Sequence, residues 1–131
     1  MTVVDTTFLI DLMRGEAGAV RVRDTYAGEG WSLHVTDVSL HELHRGLAQA
    51  RVPPDEHGRI QAALEATHGL PLDSEAARIG GQIEGALKAH GRAIDVEDCM
   101  IAAIALRHGL GVITRNQRHF GRIDGLSVQT Y

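Results

Sequence analysis

Short apolar runs alternate along this chain with longer segments in which apolar residues recur every three or four positions. The short β-branched runs are typical of buried strands, and the longer segments are typical of helices with one apolar face. Strands that are separated by helices imply a mostly parallel sheet with helices on both faces. We expect strands at 2–4, 33–36, 70–72, 112–114 and 126–128, and helices at about 8–15, 18–26, 38–50, 55–67, 74–90 and 95–107.

The composition indicates one folded domain that spans residues 1–131. This length is close to the most common domain size, and 44% hydrophobic and 23% charged residues are near the globular average. The longest apolar run, Met100–Leu106, is too short to cross a bilayer, and we recognise no signal segment, so we expect a cytoplasmic protein without membrane contact. Cys99 is the only cysteine, which excludes an intrachain disulfide and a multi-cysteine zinc site.

The net charge of −4 argues against binding to nucleic acid by bulk electrostatics, because such binding needs an excess of basic residues. The net charge is a weak argument, however. Acids gathered around a metal ion can make it negative while arginines on another face still contact phosphate. Of the 13 basic residues only Lys88 is a lysine, and the guanidinium fork of arginine is suited to phosphate. Nucleic acid therefore stays open as a ligand.

Polar residues follow two of the predicted strands. Asp5 ends the first strand, and Arg115 and Asn116 follow the strand at 112–114. Open α/β sheets place their sites at the carboxyl ends of strands, and carboxylate and amide oxygens are ligands that Mg²⁺ or Mn²⁺ prefers. Asp5 is also well placed to cap the following helix, so both roles stay open for it.

Glu42 lies between two histidines on a predicted helix. The segment from His41 to His44 is one residue short of the zinc-protease spacing, and Arg45 stands where the second histidine would be, which argues against a zinc protease. Two histidines three positions apart lack a third ligand here and are more typical of a solvated face. The direction of Glu42 depends on the phase of the helix.

Three acids crowd the first turn of the predicted helix at 95–107. Asp95 and Asp98 are three positions apart and share a face, whereas Glu97 is turned away from it. Acids are favoured at any helix start, and Asp95 with Asp98 is similar to a capping box. The rest of this helix is almost wholly apolar, which predicts burial, and acids at the mouth of a buried helix indicate a functional site.

The motifs around Asp5, Glu42, Asp98 and Asn116 follow one another along the chain as they do in a PIN domain. The chain resembles that family, and more closely a VapC-type toxin. The resemblance is carried by DTTFLIDLMRG from Asp5, by the segment 39–46 around Glu42, by EDCMIAAIALRHG from Glu97 and by VITRNQRHFGRIDGL from Val112. It runs nearly end to end, although residues 50–93 match only in length and helical character. The resemblance implies a three-layer α/β sandwich with a five-stranded parallel sheet flanked by helices.

The resemblance also implies an activity and partners. A VapC-type protein would be a metal-dependent endoribonuclease that hydrolyses RNA phosphodiester bonds with a metal-activated water. It would act as the toxin of a toxin-antitoxin pair, with a VapB-like antitoxin as its partner, and it would form a homodimer. The cofactor would be Mg²⁺ or Mn²⁺, since oxygen ligands accept either ion.

The family's site residues are carried over by motif. The catalytic positions are Asp5, Glu42, Asp98 and Asn116, of which Asp5 and Asp98 would hold the metal. Supporting roles would fall to Asp95, Thr6 and Thr114, and RNA phosphates would be positioned by Arg115, Arg14 and Arg118.

Two residues depart from the family pattern. Asn116 stands where the family often has aspartate, and its amide oxygen can bind a metal but adds no negative charge. His119 stands where many relatives carry another acid. These departures make a tightly held second Mg²⁺ less favourable, and they leave open a PIN-like binding module without catalytic turnover.

A phosphoaspartyl protein is the other alternative, either a signalling domain or a phosphohydrolase, because both place an aspartate after the first strand. A phosphohydrolase of the haloacid dehalogenase type would need a second aspartate at the position of Thr7, and a signalling domain would need paired acids near Asp5. Both need a lysine late in the chain after a strand, whereas the single lysine is Lys88. Metal-dependent RNA cleavage would separate the nuclease from both alternatives.

Overall fold

The computed structural model describes all residues from Met1 to Tyr131. Each helix that periodicity predicts is present within a few residues of its expected bounds, and one further short helix follows the third strand. The elements in chain order are β1 Thr2–Val4, α1 Thr6–Met13, α2 Ala17–Gly28, β2 Leu33–His34, α3 Asp37–Gln49, α4 Pro54–Glu65, α5 Ser74–Ala89, α6 Val96–Arg107, β3 Gly111–Ile113, α7 Gln117–Phe120 and β4 Val128–Gln129.

The sheet has four parallel strands in the order β2-β1-β3-β4, so the expectation of five strands is wrong. The segment predicted as a strand at 70–72 forms only one parallel bridge, between Leu70 and Thr36. The Leu70 N–H donates to the Val35 carbonyl at 2.7 Å, and the Asp37 N–H donates to the Leu70 carbonyl at 2.9 Å. Pro71 has no N–H to continue the ladder, so the pairing ends after one residue.

Both faces of the sheet are covered, which makes three layers. Val3 and Val112 pack on one face against α5, α6 and α7, where residues such as Ile101 complete the core. Val4 and Ile113 pack on the other face against α1 and α2. Because successive side chains of a strand point to opposite faces, a two-sided core requires the continuous apolar runs that these strands have.

The α6 helix runs through the centre of one layer. Its residues from Ile101 to Ala105 are all fully buried, so the helix contacts protein on every side. It packs closely against α5, where a Cβ on Gly80 would lie 3.3 Å from the Cβ of Ala103. The buried body of α6 fixes the position of its first turn, which carries Asp98. None of the helices has the length and apolar character that crossing a membrane requires.

Candidate functional site

Asp5 lies at the carboxyl end of β1 and is only 4% exposed. One carboxylate oxygen, Oδ1, accepts a hydrogen bond from the Phe8 N–H at 2.9 Å and so caps α1. The other oxygen, Oδ2, accepts from the hydroxyl of Thr114 at 2.5 Å. Of the two roles that the sequence left open for Asp5, the structure shows the helix cap, and it places the carboxylate at the edge of the sheet where a metal ligand was predicted. Since a carboxylate oxygen can accept more than one bond, capacity for a further ligand remains.

Thr114 and Asn116 continue this edge beyond β3. The Asn116 N–H donates to Thr114 Oγ1 at 2.8 Å. The Asn116 amide oxygen accepts from the His119 N–H at 3.4 Å and caps α7, while its Nδ2 lies 3.4 Å from Asp98 Oδ2. The amide oxygen is thus turned toward the helix start, and the amide nitrogen faces the carboxylate.

Asp98 is brought to the same edge by the first turn of α6. Its Oδ2 lies 2.8 Å from His119 Nδ1, and one ligand atom from each of Asp95, Asp98 and His119 falls within 4.8 Å of the others. Asp95 is the N-cap residue of α6 by position, but its side chain makes no capping hydrogen bond, so the capping-box alternative is wrong. The Asp95 carboxylate is exposed and belongs to this three-residue cluster.

Glu42 reaches the site from α3. Its Oε1 accepts a hydrogen bond from the Thr6 hydroxyl at 2.7 Å, and its Oε2 lies 3.9 Å from Arg45. The phase of α3 leaves Glu42 half-buried, whereas His41 and His44 are exposed to solvent. The two histidines therefore lie on the solvated face of α3, and the glutamate between them is turned toward the first helix.

Burial raises the pKa of all three carboxyl groups, Asp5, Glu42 and Asp98, above their ordinary values. Neighbouring acids add to this effect, since the charge of Asp98 raises the pKa of both Asp5 and Glu42. Hydrogen bonds oppose it, from Thr114 to Asp5 and from Thr6 to Glu42. The three sites are therefore electrostatically coupled, and a cation among them would stabilise their charged forms.

Of the predicted RNA-binding arginines, Arg115 is the most constrained. Its guanidinium lies 3.0 Å from Glu16 and 3.5 Å from Asp11, and it stacks 4.4 Å from the centre of the Tyr131 ring. Arg14 and Arg118 are exposed. The Tyr131 hydroxyl donates to Asp11 at 2.6 Å, across 120 positions of sequence, and no pattern in the chain pointed to this pair.

An open groove of about 540 Å³ adjoins Glu42 and is bounded by α1, α3 and α4. Nine of its 14 lining residues are hydrophobic. Leu43, Leu47 and Leu64 form a small core at its base, and Arg14 and Glu42 are among its polar residues. The groove is a mostly apolar surface next to the acidic edge.

The structure does not provide the lysine partner that a phosphoaspartyl mechanism needs. The only lysine, Lys88, is exposed on α5, where its ammonium pairs with Glu84 at 2.8 Å. The site is therefore a group of coupled carboxylates rather than a nucleophile with a lysine partner.

The fold and site define a class of protein: a parallel α/β domain with acids from separate elements gathered at the carboxyl edge of its sheet. The family model described as "PIN domain" matches residues 2–126. The chain is 30% identical, over 98% of its length and 96% of the relative's, to the tRNA(fMet)-specific endonuclease VapC of Shigella flexneri. This chain therefore belongs to the PIN domain family, within its VapC group.

Solved structures agree with this assignment. The structure of VapBC2 from Rickettsia felis, bound to a DNA fragment from its promoter, has a TM-score of 0.86 at 16% identity and covers 99% of this chain and 98% of its own. That likeness shows the fold. VapBC-5 from Mycobacterium tuberculosis, described as a member of the VapBC family of toxin-antitoxin systems, has a TM-score of 0.70 at 26% identity, with 98% and 95% coverage.

Proposed function

We propose that this protein is a metal-dependent endoribonuclease and the toxin of a toxin-antitoxin pair. The observation that carries the proposal is the convergence of Asp5, Glu42 and Asp98, from β1, α3 and α6, into one group of coupled carboxylates with raised pKa values. The name of the Shigella relative, a tRNA-specific endonuclease, supports RNA as the substrate. Because we propose cellular RNA as the substrate, we also propose that the protein acts in the cytoplasm.

The donor set fits a divalent cation. Asp5 and Asp98 would hold Mg²⁺ or Mn²⁺, because burial raises the pKa of both carboxyl groups and a positive charge beside them would stabilise their charged forms. Asp95, whose side chain makes no capping bond, would support them. When bound, the cation would lower the pKa of a water molecule and offset charge on the phosphoryl oxygens.

The chain's own residues position these groups. The Thr114 hydroxyl holds one oxygen of Asp5, and the Thr6 hydroxyl holds Oε1 of Glu42. Glu42 Oε2 accepts no hydrogen bond and lies 3.9 Å from Arg45, so it can orient the attacking water and accept its proton. Water would attack phosphorus in line and lose a proton to Glu42, while the P–O bond on the opposite side breaks and its oxygen leaves and takes up a proton as the new hydroxyl end. No covalent protein intermediate forms.

Asn116 and the arginines would act on the substrate side. Asn116 holds its Nδ2 toward Asp98, so its role here is to orient that carboxylate, and its oxygen would reach a metal only after the amide turns. Arg14 and Arg118 are exposed and would contact RNA phosphates. Arg115 would contribute less charge than either, because two carboxylates already pair with it.

A VapB-like antitoxin is the proposed partner, in a complex that also contains a homodimer of this chain. The description of the mycobacterial neighbour as part of a toxin-antitoxin system supports the partner. The apolar groove beside Glu42 offers a surface of the kind that an amphipathic peptide covers. An antitoxin segment in this groove would lie next to the proposed site and could block access of RNA to it.

Paired variants test the proposal. Antitoxin-free protein is incubated with total RNA and Mg²⁺ or Mn²⁺, beside Asp5→Asn, Glu42→Gln and Asp98→Asn, each checked for folding by circular dichroism. Asp124→Asn is the matched control, because Asp124 is an exposed acid that is absent from the cluster. We expect discrete fragments from the wild type and the control, and at least a roughly hundredfold loss of rate in each of the three site variants.

RNA that stays intact with the folded wild type, while an active relative cuts it in parallel, would contradict the nuclease proposal. RNA that is bound but not cut would favour a PIN-like binding module. One observation favours this second candidate: the Asn116 side-chain oxygen accepts the hydrogen bond that caps α7.

A further inference from the structure

The imidazole of His119 is part of the proposed cation site by position. Its Nδ1 lies 2.8 Å from Asp98 Oδ2, and a ligand atom of Asp95 lies within 4.8 Å of both. Neighbouring ligands on an octahedral ion with bonds of about 2.1 Å are separated by about 3 Å. The distance between Asp98 Oδ2 and His119 Nδ1 is therefore close to the distance between two adjacent ligand atoms on one ion.

The structure holds this imidazole in place through the short α7 helix. Asn116 accepts a hydrogen bond from the His119 N–H, and the next residue, Phe120, is fully buried in the main core. The His119 side chain itself is 26% exposed, and that of Asp98 is 17% exposed. The ring is thus anchored through its backbone while its nitrogen faces the carboxylate at an accessible edge.

The donor chemistry of imidazole differs from that of a carboxylate. Mg²⁺ takes oxygen ligands and keeps several of its waters, whereas first-row transition ions accept an imidazole nitrogen readily. Only the neutral tautomer with its proton on Nε2 can offer the Nδ1 lone pair to a metal.

We infer that His119 is itself a ligand of the cation, together with Asp98 and Asp95, and that it makes the site prefer first-row transition ions such as Mn²⁺ over Mg²⁺. The inference deepens the proposed function and depends on it, because it concerns the same cation. In the metal-free protein, His119 Nδ1 and Asp98 share a hydrogen bond. On binding, the ion takes the place of that bond.

Pulsed electron paramagnetic resonance of the Mn²⁺-loaded protein tests the inference directly, because a coordinated imidazole nitrogen modulates the Mn²⁺ spin echo. The wild type is compared with His119→Asp and His119→Asn. The matched control is His44→Asn, since His44 is an exposed histidine on α3. We expect nitrogen modulation in the wild type and in the control, and its loss in both His119 variants.

Calorimetric titration with Mn²⁺ and with Mg²⁺ measures the metal selectivity of the site. We expect the ratio of the two affinities to fall by roughly tenfold or more in His119→Asp, with Mg²⁺ binding improved. One result would overturn the inference and leave the proposed function standing. In it, Mn²⁺ binds the wild type but not Asp98→Asn, and the spin echo of the loaded wild type shows no modulation from a His119 nitrogen. Mn²⁺ affinity unaffected by Asp98→Asn would overturn both.

Discussion

At the scale of single residues, the hydroxyl of Thr114 links two parts of the site. It donates to Asp5 Oδ2 at 2.5 Å and accepts from the Asn116 N–H at 2.8 Å, and the residue is fully buried. One side chain thereby fixes the carboxylate at the end of β1 relative to the turn that begins α7. Because Asp5 is almost fully buried, its Oδ2 depends on this hydroxyl for a hydrogen bond.

Replacing Thr114 by valine tests this link. The substitution keeps the shape of the side chain but leaves a buried carboxylate oxygen and a backbone N–H without partners, so we expect a loss of about 1–3 kcal/mol in the free energy of unfolding. Urea denaturation measures the change. Thr114→Ser retains the hydroxyl and should lose less than Thr114→Val; equal losses for the two variants would contradict the role of the hydrogen bonds.

The raised carboxyl pKa values predict how stability depends on pH. For Asp98, burial raises the pKa above its ordinary value of 3.8. A raised folded-state pKa contributes stability that is present below the unfolded value and is lost as pH rises through the folded value. We therefore expect metal-free Asp98→Asn to gain stability relative to the wild type as pH rises from about 3.5.

The comparison of Asp98→Asn with the wild type is necessary because other acids act in the opposite direction. Hydrogen bonds from the backbone lower the pKa of Glu16 and Asp73, so these groups favour the folded state as pH rises. Urea midpoints are measured in chelator at a series of pH values. An Asp98→Asn variant that loses stability relative to the wild type as pH rises would contradict a raised pKa at Asp98.

The sequence indicated Asp5, Glu42 and Asp98 as acids worth attention, but not how they are held. Asp98 and His119 are 21 positions apart, and their contact depends on how α7 docks beside α6. The pair of Tyr131 and Asp11 depends in the same way on the packing of the chain's last residues against α1. Side-chain contacts across docked elements leave no periodic signal in a sequence.

At the scale of elements, hydrophobic periodicity located the six long helices because each has an apolar face and most have polar caps. Asp73, for example, precedes α5 and caps it by accepting a hydrogen bond from the Ala76 N–H at 2.8 Å. The α7 helix was not predicted, since four residues are too few to show a helical period. The segment at 70–72 has the composition of a strand, but Pro71 prevents it from pairing as one.

Gly69 allows this irregular segment to approach the sheet. A Cβ at that position would lie 2.6 Å from the Asp37 nitrogen and 2.7 Å from the Thr36 carbonyl carbon, which are backbone atoms that cannot move away cheaply. We expect Gly69→Ala to destabilise the protein by about 1–3 kcal/mol, as measured by urea denaturation.

Gly81→Ala is the matched control for this prediction. Gly81 lies within α5, and a Cβ there would meet nothing within 4 Å. Alanine is a better helix former than glycine, so this variant should be unchanged or more stable by about 0.5–1 kcal/mol. A Gly69→Ala protein as stable as Gly81→Ala would show that the bridge between Thr36 and Leu70 does not need a close approach.

At the scale of the whole molecule, the proposed site couples stability to metal binding. Its acids come from β1, α3 and α6, so a bound cation would hold together elements that are distant in sequence. An ion present at 100 times its dissociation constant adds about 2.7 kcal/mol to the stability of a protein that binds it only when folded. For a domain of this size the melting temperature should rise by on the order of 10 °C.

Differential scanning fluorimetry with Mn²⁺ after chelator treatment measures this rise. The wild type should be stabilised strongly and Asp98→Asn only slightly, because that variant lacks one proposed ligand. Asp124→Asn, the exposed control, should behave as the wild type does. An equal rise in all three proteins would mean that the ion binds elsewhere.

We propose above all that this chain hydrolyses RNA with a divalent ion held at the edge of its sheet. The most direct measurement follows RNA cleavage by chelator-stripped wild-type protein as Mn²⁺ is added back, and determines the chemistry of the new RNA ends. We predict no cleavage without the ion, saturable recovery with it, and linear phosphate and hydroxyl ends, because water is the nucleophile. Cleavage that persists in chelator and leaves 2′,3′-cyclic phosphate ends would contradict the claim.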